Sequence, residues 1–210
     1  MKRQIAKICE KLNYLTRLQL IPLLKTRGKL RVFKNAEINI PPTSKIDIVG
    51  SLQFNLKWEK NTPYPSILSM GKNSRLIVCG DFRIYSGSRV YITPGASLLL
   101  GSGYINTNMT LSCFERIEIG NGVSISENVI IRDSDTNDFI TSSSSNTQPI
   151  KIGNQVCIGM NVTILKGVTI GDCCIISAGS VVDNDLPSNC LAGGVPAKII
   201  RQNLDIKNCR

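Results

Sequence analysis

The sequence predicts an all-β solenoid in which the chain winds into stacked triangular coils of short parallel strands. The first observation is a six-residue period: from Ile152 an aliphatic residue recurs at Ile158, Ile164, Ile170, Ile176 and Val182. The second is a companion series four residues after each, at Val156, Val162, Val168, Cys174, Ser180 and Leu186, all small or apolar. The third is the same phase upstream at Ile119, Ile125 and Ile131. A period of six fits neither an amphipathic helix at 3.6 nor a continuous surface strand at 2. It fits short strands that each point one aliphatic side chain into a narrow interior and are joined by tight corners. Glycine and asparagine, the residues that tolerate such corners, recur in phase, with Gly153, Gly159 and Gly171 directly after their aliphatic partners. Three faces of six residues close one coil of eighteen.

Farther upstream the spacing loosens. The stretches "SKIDIVGSLQF", "SRLIVCGDFRI" and "ASLLLGSGYIN" still align without gaps and make Ile48, Val78, Leu100 and Ile119 equivalent, at separations of 30, 22 and 19 residues. Each excess over eighteen reads as a loop at a corner. One insertion holds Trp58, Pro63 and Pro65, and another of 15 residues runs from Asn137 to Lys151. The anchors predict about six coils, roughly 29 Å of stacked strands. The chain thus divides into a basic segment over 1–34, a β-helix over 35–190 with its loop at 136–151, and a closing segment over 191–210.

Charge is concentrated at the front of the 210-residue chain. Residues 1–34 carry ten Lys/Arg and one Glu, a net +9 of the total +10. Ile5, Ile8, Leu12 and Leu15 share one helical face, Lys2, Arg3, Lys7 and Lys11 lie elsewhere around the helix, and Pro22 ends it. Residues 1–24 are therefore expected to pack on the solenoid, mediate subunit contacts, or rest on an anionic membrane surface. Few aromatics and no known binding module speak against nucleic acid. The eight cysteines include no CxxC pair, and the chain has no histidine, so no metal site is expected. Charges interrupt every apolar run of the first thirty residues, which predicts a cytoplasmic protein with reduced thiols.

The stretch "IGMNVTILKGVTIGDCCIISAGSVVDNDLPSNCLAGGVPAKIIR", residues 158–201, resembles the carboxy-terminal signature of the acetyltransferase branch of the hexapeptide-repeat acyltransferases. The resemblance runs over 44–201, more strongly after 117, and implies that the helix is left-handed. It also implies a homotrimer that binds acetyl-coenzyme A in grooves between neighbouring prisms and acts on a sugar or glycan acceptor. Carried over onto this chain, Ala178 and Gly179 meet the pantetheine arm, while Cys157, Gly159 and Met160 line the groove. Lys198, helped by Arg201, would hold the 3′-phosphate of the cofactor, for which a cation is the physical requirement.

The loop after Ile131 is similar to the "DSD-x-H" segment of the sugar and polysaccharide O-acetyltransferases in that family, where the histidine is the general base. Its place here is Asn137, whose amide has no titrating lone pair near neutrality. Asp133, Asp135 and Asp138 remain as candidate acids and bases beside it. Three readings follow: a carboxylate of this cluster serves a hydroxyl acceptor, an amine acceptor attacks without a protein base, or the chain is a base-deficient homologue that binds coenzyme A. For the cluster itself, a polar turn bonded to its own backbone is the plain structural alternative.

Overall fold

A computed structural model describes residues 24–26, 28–58, 64–135 and 146–204. The predicted helix ahead of Pro22 lies outside the described residues. The first coil consists of β1 (Leu24–Thr26), β2 (Lys29–Val32) and β3 (Ala36–Asn39), and the second of β4 (Lys45–Ile48), β5 (Ser51–Leu56) and β6 (Ser66–Met70). The third is β7 (Arg75–Val78), β8 (Asp81–Tyr85) and β9 (Arg89–Ile92), and the fourth β10 (Ser97–Leu100), β11 (Gly103–Ile105) and β12 (Thr110–Cys113). Next come β13 (Arg116–Ile119), β14 (Val123–Ile125) and β15 (Ile130–Arg132), then β16 (Ile150–Ile152), β17 (Cys157–Ile158) and β18 (Thr163–Ile164). The seventh coil is β19 (Thr169–Ile170), β20 (Ile175–Ile176) and β21 (Val181–Val182).

First, second and third strands of successive coils stack into three parallel sheets, called here faces A, B and C. The result is a left-handed parallel β-helix. Face B continues through β22 (Leu191–Gly193), and β23 (Lys198–Arg201) then pairs with β22 in the antiparallel sense.

The anchors stack as the periodicity predicts. Ile152 pairs with Ile170, Ile158 with Ile176 and Ile164 with Val182, each eighteen residues on. Ile119 pairs with Ile152 across the long insertion, and Ile48, Val78, Leu100 and Ile119 form one column on face A. Each of these side chains is buried, as is the companion series from Val156 to Leu186.

Among the described residues there are seven coils where the anchors predict about six, roughly 34 Å of stack. The additional coil starts at Leu24, inside the segment assigned to a basic head. Its strand β2 alternates Lys29 and Arg31 outward with half-buried Leu30 and Val32, so charge hides a two-residue period.

The corners divide the labour between two positions. The residue three after an anchor takes the left-handed conformation, as at Asn128 (φ 59°), Asn161 (φ 58°), Gly167 (φ 78°) and Gly179 (φ 72°). Gln155 and Cys173 hold the same conformation without being Gly or Asn. The glycine directly after an anchor serves a different purpose from the one its turn chemistry suggests. A Cβ on Gly120 would lie 2.6 Å from the carbonyl oxygen of Gly153, and one on Gly153 would lie 2.4 Å from Asp172 Oδ1. Close approach of stacked corners excludes a side chain there. On that edge the Asn121 amide donates to Asn154 Oδ1 (2.9 Å), the Asn154 amide to Asp172 Oδ1 (2.6 Å) and the Asp172 amide to Ser188 Oγ (3.0 Å).

The long insertion leaves the stack between β15 and β16 and is closed at its base. Ser134 and Thr147 form an antiparallel bridge, the Gln148 amide donates to the Asp133 carbonyl (3.0 Å), and the Asp135 amide donates to the Asn146 carbonyl (2.9 Å). The Asp133 side chain, fully buried, accepts from the amides of Phe114 (2.6 Å), Glu115 (2.8 Å) and Arg116 (2.8 Å). It thereby ties this corner to the one above it. Asp133→Ala removes the acceptor of three part-buried amides and is expected to cost about 2 kcal/mol or more in a urea unfolding titration. Asp135→Ala, at an exposed carboxylate, is expected to stay within about 1 kcal/mol.

Candidate functional site

The residues singled out in the sequence lie on two different edges of the prism. Gly159 and Met160 turn the chain from β17 to β18, and Ala178 and Gly179 turn it from β20 to β21, so all four occupy the edge between faces B and C. The two turns touch: the Gly179 amide donates to the Met160 carbonyl (2.8 Å). Ala178, Gly179 and Met160 are exposed, and the space where a Cβ of Gly179 would stand is open to 4 Å. Gly159 is closed from behind, because a Cβ there would sit 2.7 Å from the Ala178 amide nitrogen. Gly159, Ala178 and Gly179 thus leave a strip of backbone and small side chains along this edge, bordered by the 50% exposed Met160 side chain, which suits a thin extended ligand. Cys157 is half-buried on face B between Ser124 and Ile175, one residue before the edge.

Lys198 and Arg201 are both exposed and close the same face. Lys198 pairs with Gly193 and Arg201 with Leu191, at opposite ends of β23. Their Cα atoms are about 10 Å apart by strand rise. Lys198 is the one near the strip, since the Gly194 amide donates to Ser180 Oγ (3.2 Å) in the adjoining turn.

The aspartates belong to the edge between faces C and A. Asp133 is the corner clamp already described and presents no carboxylate oxygen to the surface. Its charge, after burial itself, helps push the neighbouring Cys113 thiol up to about 12. Asp135 is exposed and pairs with Lys166 (Oδ2 to Nζ, 2.6 Å). Arg132 packs over the Phe114 ring at 4.7 Å and donates from Nε to the Ser134 carbonyl (2.9 Å), while Thr147 Oγ1 bonds Glu115 Oε2 (2.7 Å). Asn137 and Asp138 lie outside the described residues. Among the described residues no group of His, Cys, Asp or Glu could hold a metal ion, and no helix is long and apolar enough to cross a membrane.

Lys166 escaped the reading by motif, yet register places it. It follows Ile164 by two residues as Asp133 follows Ile131, and those anchors pair. The same corner position in successive coils therefore carries first the clamp and then a cation paired with Asp135. A single chain does not bring the strip and the aspartate corner together, because face C separates them.

Residues 149–184 match the family model described as bacterial transferase hexapeptide (six repeats). Among curated proteins the chain is similar to galactoside O-acetyltransferase of Escherichia coli, 38% identical over 117 residues, which are 54% of this chain and 58% of that protein. The chain spans about half the length of the curated relatives it matches. Its fold is that of a mutant of AntD, an N-acyltransferase from Bacillus cereus in complex with dTDP and coenzyme A, at a TM-score of 0.59, 19% identity and coverage of 91% and 90%. It is likewise that of the polysialic acid O-acetyltransferase OatWY, at a TM-score of 0.56, 22% identity and coverage of 86% and 88%. The six-residue anchors stacked along the described coils and the match over 149–184 make this segment similar to the hexapeptide repeats of bacterial transferases.

Proposed function

We propose that the chain transfers an acetyl group from acetyl-coenzyme A to a hydroxyl of a sugar or surface-polysaccharide precursor, and that it does so as a homotrimer. The observation that carries this is the strip of Gly159, Ala178 and Gly179, bordered by exposed Met160, with Lys198 near its end. The strip admits a narrow chain and the cation suits a terminal phosphate, so these residues fit the donor. The galactoside O-acetyltransferase relative supports a sugar hydroxyl as acceptor. In the reaction the acceptor oxygen bonds to the acetyl carbon, the thioester C–S bond breaks, and the hydroxyl proton must leave.

The strip and the aspartate corner stand on different edges, so a complete site needs the edge of one copy against the other edge of a second. That geometry is the argument for a trimer. The charge of +9 on residues 1–34 supports a cytoplasmic protein that touches an anionic membrane surface through residues 1–24.

A second reading, an amine acceptor or a base-deficient homologue, is favoured by one observation: the chain contains no histidine, and Asn137 stands where the resemblance puts the base. An amine with a neutral fraction needs no protein base to attack a thioester.

Three measurements test these statements. Light scattering at micromolar protein should give three times the chain mass; a monomer that coenzyme A leaves unchanged would refute the trimer. Lys198→Ala should weaken coenzyme A about tenfold, the equivalent of one charge-assisted contact, and leave dephospho-coenzyme A nearly unaffected. Equal loss for both would remove Lys198 from phosphate binding. For a hydroxyl acceptor, Asn137→His should raise transfer by about 10²- to 10⁴-fold, the worth of general base catalysis. The gain should grow as pH rises through about 6.5, because only the neutral imidazole accepts a proton. For an amine acceptor the profile should follow the substrate's own amine and the substitution should change little.

A further inference from the structure

The edge between faces B and C carries a second feature, nearer the amino-terminal end. Trp58, the single tryptophan of the chain, is 65% exposed although it is the largest apolar side chain present. Such a ring on a surface is informative, since a structural tryptophan is normally covered. Its position is nevertheless held from two directions. One indole face stacks on Tyr85 at 4.6 Å between centroids and 12° between planes, and Tyr85 meets Tyr104 edge-on at 6.5 Å and 83°. Trp58 Nε1 donates to Asn106 Oδ1 (2.9 Å), which also accepts from the Thr107 amide (2.9 Å), and Asn106 Nδ2 donates to Glu127 Oε1 (2.6 Å). The indole is therefore fixed in orientation by groups from three later coils, with the face opposite Tyr85 turned away from the stack.

The corner residues are linked along this edge by backbone bonds. The Asn108 amide donates to the Ser86 carbonyl (3.1 Å), Asn128 to Thr107 (3.1 Å), Asn161 to Glu127 (3.0 Å) and Gly179 to Met160 (2.8 Å). One continuous ridge thus joins the tryptophan to the strip assigned to the donor. From the Asn106 corner to the Gly179 corner is three coils, about 14 Å.

We propose that Trp58 is a stacking platform for a pyranose ring, a saccharide-binding subsite that holds an acceptor oligosaccharide along the edge leading to the donor strip. A sugar ring presents C–H groups on its faces and hydroxyls at its rim. The C–H face is attracted to the negative face of an aromatic system, and the rim needs hydrogen-bonding partners beside it. Here the open indole face supplies the first, and half-buried Glu127 and the exposed Tyr104 supply the second. A rigid flat ring loses little freedom on binding, so it offers contact area at low entropic cost. The distance along the ridge favours an oligosaccharide over a monosaccharide. The direction in which the glycan extends rests on the acetyl-transfer reading; binding at Trp58 does not.

The test uses the full chain, in which tryptophan emission reports Trp58 alone. It is titrated with neutral tetrasaccharides of gluco, galacto and manno configuration, with glycerol as the control for unspecific hydroxyl effects. A saturable change in emission with at least one tetrasaccharide is expected, and calorimetry should show its Kd raised about tenfold in Trp58→Ala, the scale of one aromatic stacking contact. Trp58→Phe, which keeps the stack on Tyr85 and loses the Nε1 donor, should bind with intermediate strength and serves if the alanine variant folds poorly. No change with any tetrasaccharide overturns the proposal. So does emission that responds to protein concentration, with Trp58→Ala dissociating the oligomer, because the ring then belongs to a contact between copies. Quenching by coenzyme A alone that saccharides do not affect assigns the ring to the nucleotide and also overturns it. Saccharide binding that persists while no acetyl transfer occurs to any acceptor leaves the platform standing and removes the acetyl-transfer reading.

Discussion

The rest of the molecule depends on one constraint: each inward aliphatic must sit on its counterpart one coil away, on all three faces at once. Successive strand residues point to opposite sides, so a slip of one position would turn the anchors outward and charged neighbours such as Glu118 or Lys151 inward. Through the seven coils each face is a parallel ladder, whose strands in the sixth and seventh coils are only two or three residues long. Strands so short have little cohesion of their own and hold because neighbours above and below repeat the same registry. The continuous column of buried Ile48, Val78, Leu100, Ile119, Ile152 and Ile170 is the physical form of that dependence.

The constraint also explains where variation is tolerated. A corner can lengthen without disturbing the stack provided the chain re-enters at the same face. The insertion after β15 obeys this, since Ile119 and Ile152 remain paired across it. Entropy penalises the arrangement only slightly, because closing a longer loop costs little more than closing a short one. At this corner the ends are held by the Ser134 to Thr147 bridge and by the buried Asp133 carboxylate. A charged group at the heart of a corner is stable only because three amides surround it.

The candidate residues consequently gather at the edges. The interior is filled by anchors, and faces present stacked side chains at strand spacing, while corners expose backbone groups and accept insertions. One edge carries the strip of Gly159, Ala178 and Gly179, bordered by Met160, and, farther along, the tryptophan ridge; another carries Asp135 with Lys166. Two edges separated by a face make a site only when two copies meet, which ties the proposed assembly to the proposed reaction.

Periodicity by itself determined the class of fold, the eighteen-residue coil, the buried columns and the corners at which the chain departs from the stack. These are legible because each is a local repeat, written in residues close together in the sequence. The resemblance over 158–201 singled out Gly159, Met160, Ala178 and Gly179, which lie together on one edge of the prism. Only the tertiary structure decided that Leu24–Thr26 and Lys29–Val32 belong to the first coil, where Lys29 and Arg31 on the outer face mask the alternation. It decided too that Asp133 is a clamp, that Lys166 meets Asp135, and that Trp58 is held by Tyr85 and Asn106. Each of these depends on which way a side chain points at a corner and on what the next coil sets beside it. Neither is a property of neighbouring residues, because lateral partners are separated by eighteen residues plus whatever the corner has inserted.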